Sequence, residues 1–271
     1  MSEWNAMTYA GKPTILRVVR EQSEVMFDLA ERPGAWDAPT ACEGWAVKDV
    51  ISHIVDTTEG YFRSFERARS GEQAPDPHGL AAMADLANAG AEALHDIPQA
   101  ELMARVRKDR DEIIALLDAL TEDEWGGLIA THSYMGPVPA FIYAAGQLMD
   151  YGVHTWDIRQ GAGACHAMDG DAADLLVPFM PIIWQNTVKA GTVTEPITVG
   201  VRVSGRNAVE WRMTAGPEGF TYEEGSLDDL PAVLEFDAGS YVLTTFGRYN
   251  TGTVRGDFAT AERFLNIFFR I

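Results

Sequence analysis

Cysteine is scarce in this chain: Cys42 and Cys165 are the two present in 271 residues. Two cysteines cannot build a disulfide framework, and the pair reads as reduced cytosolic thiols. Basic residues are also few, 21 Lys+Arg against 40 Asp+Glu, for a formal net charge of −19. A surface of that sign repels phosphate backbones and anionic lipid, which argues against nucleic-acid and membrane-surface roles. No apolar run approaches the ~18 residues that a membrane-spanning helix needs. The opening stretch MSEWNAMTYAGK lacks a basic segment followed by an apolar one. No secretory leader is therefore expected, and a cytoplasmic location is. Low-complexity tracts and internal repeats are missing as well.

What is present describes a globular protein. Hydrophobic residues make up 46% of the chain and charged residues 23%, enough apolar matter for one large core or two modest ones. The acidity is uneven. Residues 171–271 hold 8 Lys/Arg and 13 Asp/Glu, a net −5, so the preceding part carries −14. Solubility is the plain reading of that charge.

Periodicity divides the chain in two. Residues 1–165 read as helices. Pro13 suits a first helical turn, Leu16, Val19, Met26 and Leu29 follow helical spacing, and Gly34 ends the segment. A second long helix covers AVKDVISHIVDTTEGYFRSFERARSG, with Val47, Val50, Ile54, Tyr61, Phe62 and Phe65 as its apolar positions. GEQAPDPHG is a break, residues 79–96 are Ala-rich and helical, and Pro98 opens a third long segment ending near Leu120. Pro137 and Pro139 are expected to open a fourth, running to about Gly161. Four helices with short loops predict a bundle.

In residues 166–271 the pattern changes. One helix, DGDAADLLVPFMPIIWQNTVKAG, is bent by Pro178 and Pro181. PITVGVRVSG, AVEWRMTAG, AVLEFDAG and TGTVRGD carry strand signals, SYVLTTFGRY predicts a short helix, and FATAERFLNIFFRI closes the chain as an amphipathic helix. The fold class expected is α+β, with a small α+β domain behind a helical bundle.

The chemistry-bearing constellation starts from Asp150 and His154. At i and i+4 on one helix they share a face, about one turn apart, so both can reach one cation. His53, on another helix amid VISHIV, is the candidate third ligand, since a histidine near a bundle interior needs a partner. Two imidazoles and one carboxylate leave coordination positions open, as a catalytic metal requires. Zn²⁺ is the first choice, although N/O ligands admit other divalent transition metals. Asp157 can accept a hydrogen bond from a ligand imidazole. By spacing alone an Asp-x-x-x-His pair is common, and a histidine on an apolar stripe is often a core residue.

The words around these residues resemble a known family. T-A-C-E-G-W-A-V-K-D-V-I-S-H-I, residues 40–54, is similar to the second-helix signature of the mycothiol-dependent maleylpyruvate isomerase family, within the DinB-like metalloprotein group; Cys42, Gly44, Trp45 and His53 carry the match. G-Q-L-M-D-Y-G-V-H-T-W-D-I, residues 146–158, resembles its fourth-helix word through Asp150, His154 and Asp157. The C-terminal region, ending T-V-R-G-D-F-A-T-A-E-R-F, looks like the sterol-carrier-like domain often attached to this bundle, and Gly247-Arg248 matches an arginine placed near the substrate cleft. The chain departs from the family at Asp150, where the longer Glu is usual, and at Ala46, where a capping Thr or Ser is usual.

The resemblance implies a metal-dependent enzyme with mycothiol as thiol cosubstrate and a small electrophilic, enoyl or acidic substrate. It would be an isomerase or thiol transferase, with His53, Asp150 and His154 on the metal, Asp157 behind them and Arg248 as carboxylate clamp. Arg202 and Arg255 are alternatives for the clamp. A monomer or homodimer is expected, with no nucleic-acid or membrane partner. A metal-assisted hydrolysis on the same fold and a non-catalytic ligand-binding protein are the competing readings. Cys42 is expected in packing, Trp45 as a core anchor, His132 in a loop, and His78, His95 and His166 in solvent.

Overall fold

A computed structural model describes residues 2–164, 166–189, 191–248 and 252–271. Cys165 lies outside the described residues. Two compact units emerge, Met1–Ala172 and Ala173–Ile271.

The first unit is built on four long helices: α1 (Lys12–Ala30), α2 (Val47–Ser70), α4 (Gln99–Asp118) and α6 (Phe141–Gly161), with the shorter α3 (Met83–Glu92) between α2 and α4. α1 packs on α4 and α6, and α2 on α3, α4 and α6. Their apolar stripes close the core: Ile15, Val19 and Met26 from α1, Val50, Ile54 and Phe65 from α2, Val106 and Ile113 from α4, and Ala144 and Leu148 from α6 are all buried. α1 stops at Ala30 rather than running to Gly34, because Pro33 disfavours helical geometry at Arg32. The ammonium of Lys12, 5% exposed, donates to the carbonyls of Asp118 and Leu120 at 2.6 and 2.8 Å. It caps the carbonyl end of α4, where a cation is favoured.

The stretch before α6 differs from the sequence reading. Pro137 and Pro139 do not open the helix. They lie in β2 (Gly136–Pro139), which pairs antiparallel with β1 (Ile129–His132), after a short helix α5 (Glu122–Gly127). In a two-stranded ribbon one flank of each strand faces no partner, so proline's missing N–H is tolerated there. α6 begins only at Phe141.

The helix expected over 169–191 is broken as its prolines require, into α7 (Gly170–Leu176), a 3₁₀ turn (Val177–Phe179) and α8 (Met180–Thr187). The second unit then forms one five-stranded sheet in the order β5-β4-β3-β6-β7: β3 (Ile197–Ser204), β4 (Val209–Gly216), β5 (Gly219–Glu224), β6 (Ala232–Asp237) and β7 (Thr253–Gly256). All pairings are antiparallel except β3 with β6. α9 (Ala238–Thr245) and α10 (Phe258–Leu265) pack against it. Trp184, Tyr241, Phe264 and Phe268 interlock beneath the sheet, with Trp184 stacked on Phe268 at 5.0 Å. β5 was not anticipated, since GFTYEE buries one side chain, Phe220, and so lacks an apolar face. No helix among the described residues is long and apolar enough to cross a membrane.

Candidate metal centre

His53 stands two turns into α2, and Asp150 and His154 stand one turn apart on α6. The packing of these helices brings the three together. One ligand atom from each lies within 4.8 Å of the others. His53 Nε2 is 3.6 Å from Asp150 Oδ1, and the two imidazoles meet edge to face at 5.3 Å. A separation of 3.6 Å is too long for a hydrogen bond but close to the ~3.3 Å between neighbouring ligands of a tetrahedral zinc with bonds of about 2.0–2.1 Å. The other carboxylate oxygen, Asp150 Oδ2, is buried without a donor among the described residues. An acceptor left that way is costly, and a cation between the three side chains would satisfy it. The residues thus fit a divalent metal. Asp150, one methylene shorter than Glu, still reaches the partner helix.

Asp157, wholly buried, accepts from His154 Nδ1 at 2.9 Å. That hydrogen bond places the ring's proton on Nδ1 and leaves Nε2 its lone pair for a cation. On His53, Nδ1 faces Thr57 Oγ1 at 3.4 Å.

The loop before α2 covers this site. Gly44 has φ +81°, in the left-handed region that favours glycine. The Ala41 amide donates to the Asp157 carbonyl at 2.9 Å, so the loop lies on the end of α6. A Cβ on Gly161 would meet the Pro39 carbonyl oxygen at 2.2 Å, so only glycine permits that approach. Trp45 is consequently not a core anchor. It is half-buried, stacked on His154 at 5.9 Å and tilted on His53 at 5.2 Å, with Nε1 donating to Asn88 Oδ1 at 3.2 Å. Cys42 is half-buried in the same loop.

Ala46, as expected, gives α2 no side-chain cap, an omission worth ~1 kcal/mol. Asp49 offsets part of it by accepting from the Ala46 amide at 2.8 Å, and it also holds Nε2 of His95. His95 was expected to be solvated. Its ring is exposed but tied to the start of α2. His166 too is half-buried, against Trp156 at 5.8 Å, rather than simply in solvent. His78 is exposed.

A second group of residues lies on the same two helices. Tyr61, two turns beyond His53, and Tyr143, on α6, meet at 4.9 Å. Gly146, one turn before Asp150, admits the Tyr61 hydroxyl, which a Cβ would approach to 2.4 Å. His132 is not a loop residue: it ends β1, and its half-buried ring packs on Tyr61, Tyr143 and Tyr134 at 5.5, 5.7 and 5.9 Å. Burial pushes its imidazole down to about 4, against the opposing pull of the Asp150 carboxylate. Burial, then the Asp150 charge, raises the Tyr61 phenol. Sequence reasoning missed this group because it depends on a hairpin that the prolines disguised.

Arg248 lies in the second unit, after α9. Its Nη1 donates to the carbonyls of Phe246, at 3.1 Å, and Ile271. Arg202 and Arg255 both pair with Glu235, and Arg202 also with Glu210.

A four-helix bundle with two histidines and an aspartate converging between helices, followed by an α+β unit, defines a helical-bundle protein with a candidate three-ligand metal centre. The chain belongs to the mycothiol maleylpyruvate isomerase N-terminal domain family, whose model matches residues 19–159. Among solved structures it is similar to the mycothiol-dependent maleylpyruvate isomerase, with 15% identity and a TM-score of 0.57 over 89% of this chain and 91% of that one. A histidine-to-alanine mutant of that isomerase gives 14% identity and a TM-score of 0.57 over the same shares. At such identities the likeness is one of fold. A search of curated proteins returned no match.

Proposed function

We propose that this chain is a metal-dependent, mycothiol-using isomerase or thiol transferase acting on a small electrophilic enoyl acid, as in maleylpyruvate isomerisation. The observation that carries the reading is the His53, Asp150 and His154 cluster with its donorless Asp150 Oδ2, in a chain of this family. Zn²⁺ is the proposed metal. When bound, it would lower the pKa of a coordinating thiol and hold the nucleophilic thiolate. Two neutral imidazoles and one carboxylate leave a site charge of +1, which a thiolate neutralises. A neutral assembly limits the desolvation penalty at a site whose two imidazoles are buried against Trp45.

Arg248 is the proposed carboxylate clamp. Its Nη1 contacts are main-chain carbonyls, so clamping requires it to exchange those acceptors for substrate oxygens. Arg202 and Arg255 are committed to Glu235 and are weaker candidates. A cytoplasmic location, a small-molecule substrate and a monomer or homodimer complete the reading.

Calorimetric titration of mycothiol into metal-loaded and metal-stripped protein tests it. Binding confined to the loaded form is expected, with chelator-sensitive isomerisation of maleylpyruvate. Equal binding to both forms, or to neither, rejects thiol dependence and favours a hydrolase or a binding protein. His53→Ala and His154→Ala should each abolish most metal content by elemental analysis.

A further inference from the structure

We propose that His132 is a substrate-contacting residue, a neutral hydrogen-bond donor whose Nε2–H takes the substrate oxygen on which charge accumulates during thiol addition. The proposal rests on the functional reading above and names a residue for that chemistry.

Three observations carry it. First, Nδ1 of His132 accepts from the backbone amides of Tyr134 and Met135, at 3.2 and 3.3 Å. A nitrogen accepting from N–H groups bears no proton, so the neutral ring must carry its hydrogen on Nε2. Second, no hydrogen bond to Nε2 is present among the described residues, and the ring's neighbours are the three tyrosines. Third, the hairpin is fixed to the ligand-bearing helices. Ser64 Oγ on α2 donates to the Thr131 carbonyl at 2.9 Å, and the rings packed on His132 include Tyr61 of α2 and Tyr143 of α6. The Asp150 carboxylate acts electrostatically on His132, Tyr61 and Tyr134 alike, and the Tyr61 hydroxyl lies against Gly146, one turn before Asp150.

The chemistry needs such a donor. When a thiolate adds to a conjugated enoyl carbon, a sulfur lone pair becomes the new C–S bond and the alkene π pair moves toward the carbonyl oxygen. Elimination reverses both movements and returns the thiolate, with no net change in protons or electrons. The negative charge in between sits on oxygen. A fixed neutral imidazole stabilises it without being lost to protonation, and one preorganised donor of this kind is worth about 10²–10³ in rate. The low proton affinity that burial gives His132 keeps it neutral at physiological pH.

Two variants separate this role from a merely structural one. In His132→Asn, the amide oxygen replaces Nδ1 as acceptor for the hairpin, but no donor reaches the Nε2 position. In His132→Gln, the amide nitrogen reaches that position. With mycothiol and maleylpyruvate, His132→Asn should lose about 10²–10³ in kcat/KM while metal content and mycothiol binding stay at wild-type levels. His132→Gln should recover about tenfold or more of that loss. Turnover of His132→Asn at the wild-type rate, or no advantage of His132→Gln over it, overturns the proposal. Nitrogen-15 NMR of the zinc-loaded protein gives a readout independent of turnover. A neutral Nε2–H ring from pH 5 to 8, with its Nε2 resonance shifting when maleate is added, is expected. An Nδ1–H or charged ring, or no shift, overturns it. Should the wild-type protein leave maleylpyruvate unchanged, the functional reading fails by itself and the NMR result decides the role of His132.

Discussion

Asp157 shows how much a single buried carboxylate can govern. It has no exposure to solvent and orients His154 through Nδ1. In Asp157→Asn an amide cannot accept with the same charge, so the imidazole loses basicity and its fixed tautomer. Zinc affinity is expected to fall by roughly 10–100-fold. Competition with a chromophoric chelator measures this, and unchanged affinity would assign Asp157 to packing. His53, on another helix, was singled out by its place in VISHIV and by the family resemblance, whereas Asp150 and His154 were legible because helical spacing is local: i and i+4 share a face whatever the tertiary fold. The positions of Trp45 and His132 were not. Each depends on a loop or hairpin whose course is set by contacts far away in sequence, such as Gly161 against Pro39.

At the scale of elements, α4 holds a carboxylate in the wrong medium. Asp109 is 4% exposed, and its Oδ2 has no donor among the described residues. Burial, reinforced by the charge of Glu59, pushes it up to about 6 from 3.8. With the folded value above the unfolded one, the native state binds the extra proton between these limits. Stability therefore falls as pH rises through that window, and the deficit is complete above it. Asp109→Asn should stabilise the protein at pH 7.5 by at most about 3 kcal/mol, and the gain should vanish below pH 4. Urea unfolding at both pH values checks this, and a gain independent of pH would point to packing instead. The long helices were readable from apolar periodicity, down to the break at Pro178 and Pro181. β1, β2 and α5 were not, because strands of four residues and a helix of six are too short to show a period and β2 is half proline, and β5 shows no apolar face.

Over the whole molecule, α7 and α8 still follow α6, and the sheet begins only at β3. We propose that the junction itself lies near residues 162–170, where Ala162–Ala164 and His166–Asp169 form no helix or strand. The contact division falls a little later, inside α7, between Ala172 and Ala173. Limited proteolysis followed by mass measurement should cut first in 162–170 and leave two compact fragments. A first cut within α6 would count against it. The acidity of the helical part, −14 against −5 in residues 171–271, gives the fragments different mobilities on anion exchange and a simple way to separate them.

The indole of Trp45, laid against the rings of His53 and His154, has an optical consequence. An open-shell cation such as Cu²⁺ or Co²⁺ held by those imidazoles would lie within a few ångströms of a fluorophore and drain its excited state, whereas closed-shell Zn²⁺ would leave it bright. The loop over the candidate centre would thus also report on it: quenching of this indole, one of seven tryptophans, would tell which ion has arrived without any added label.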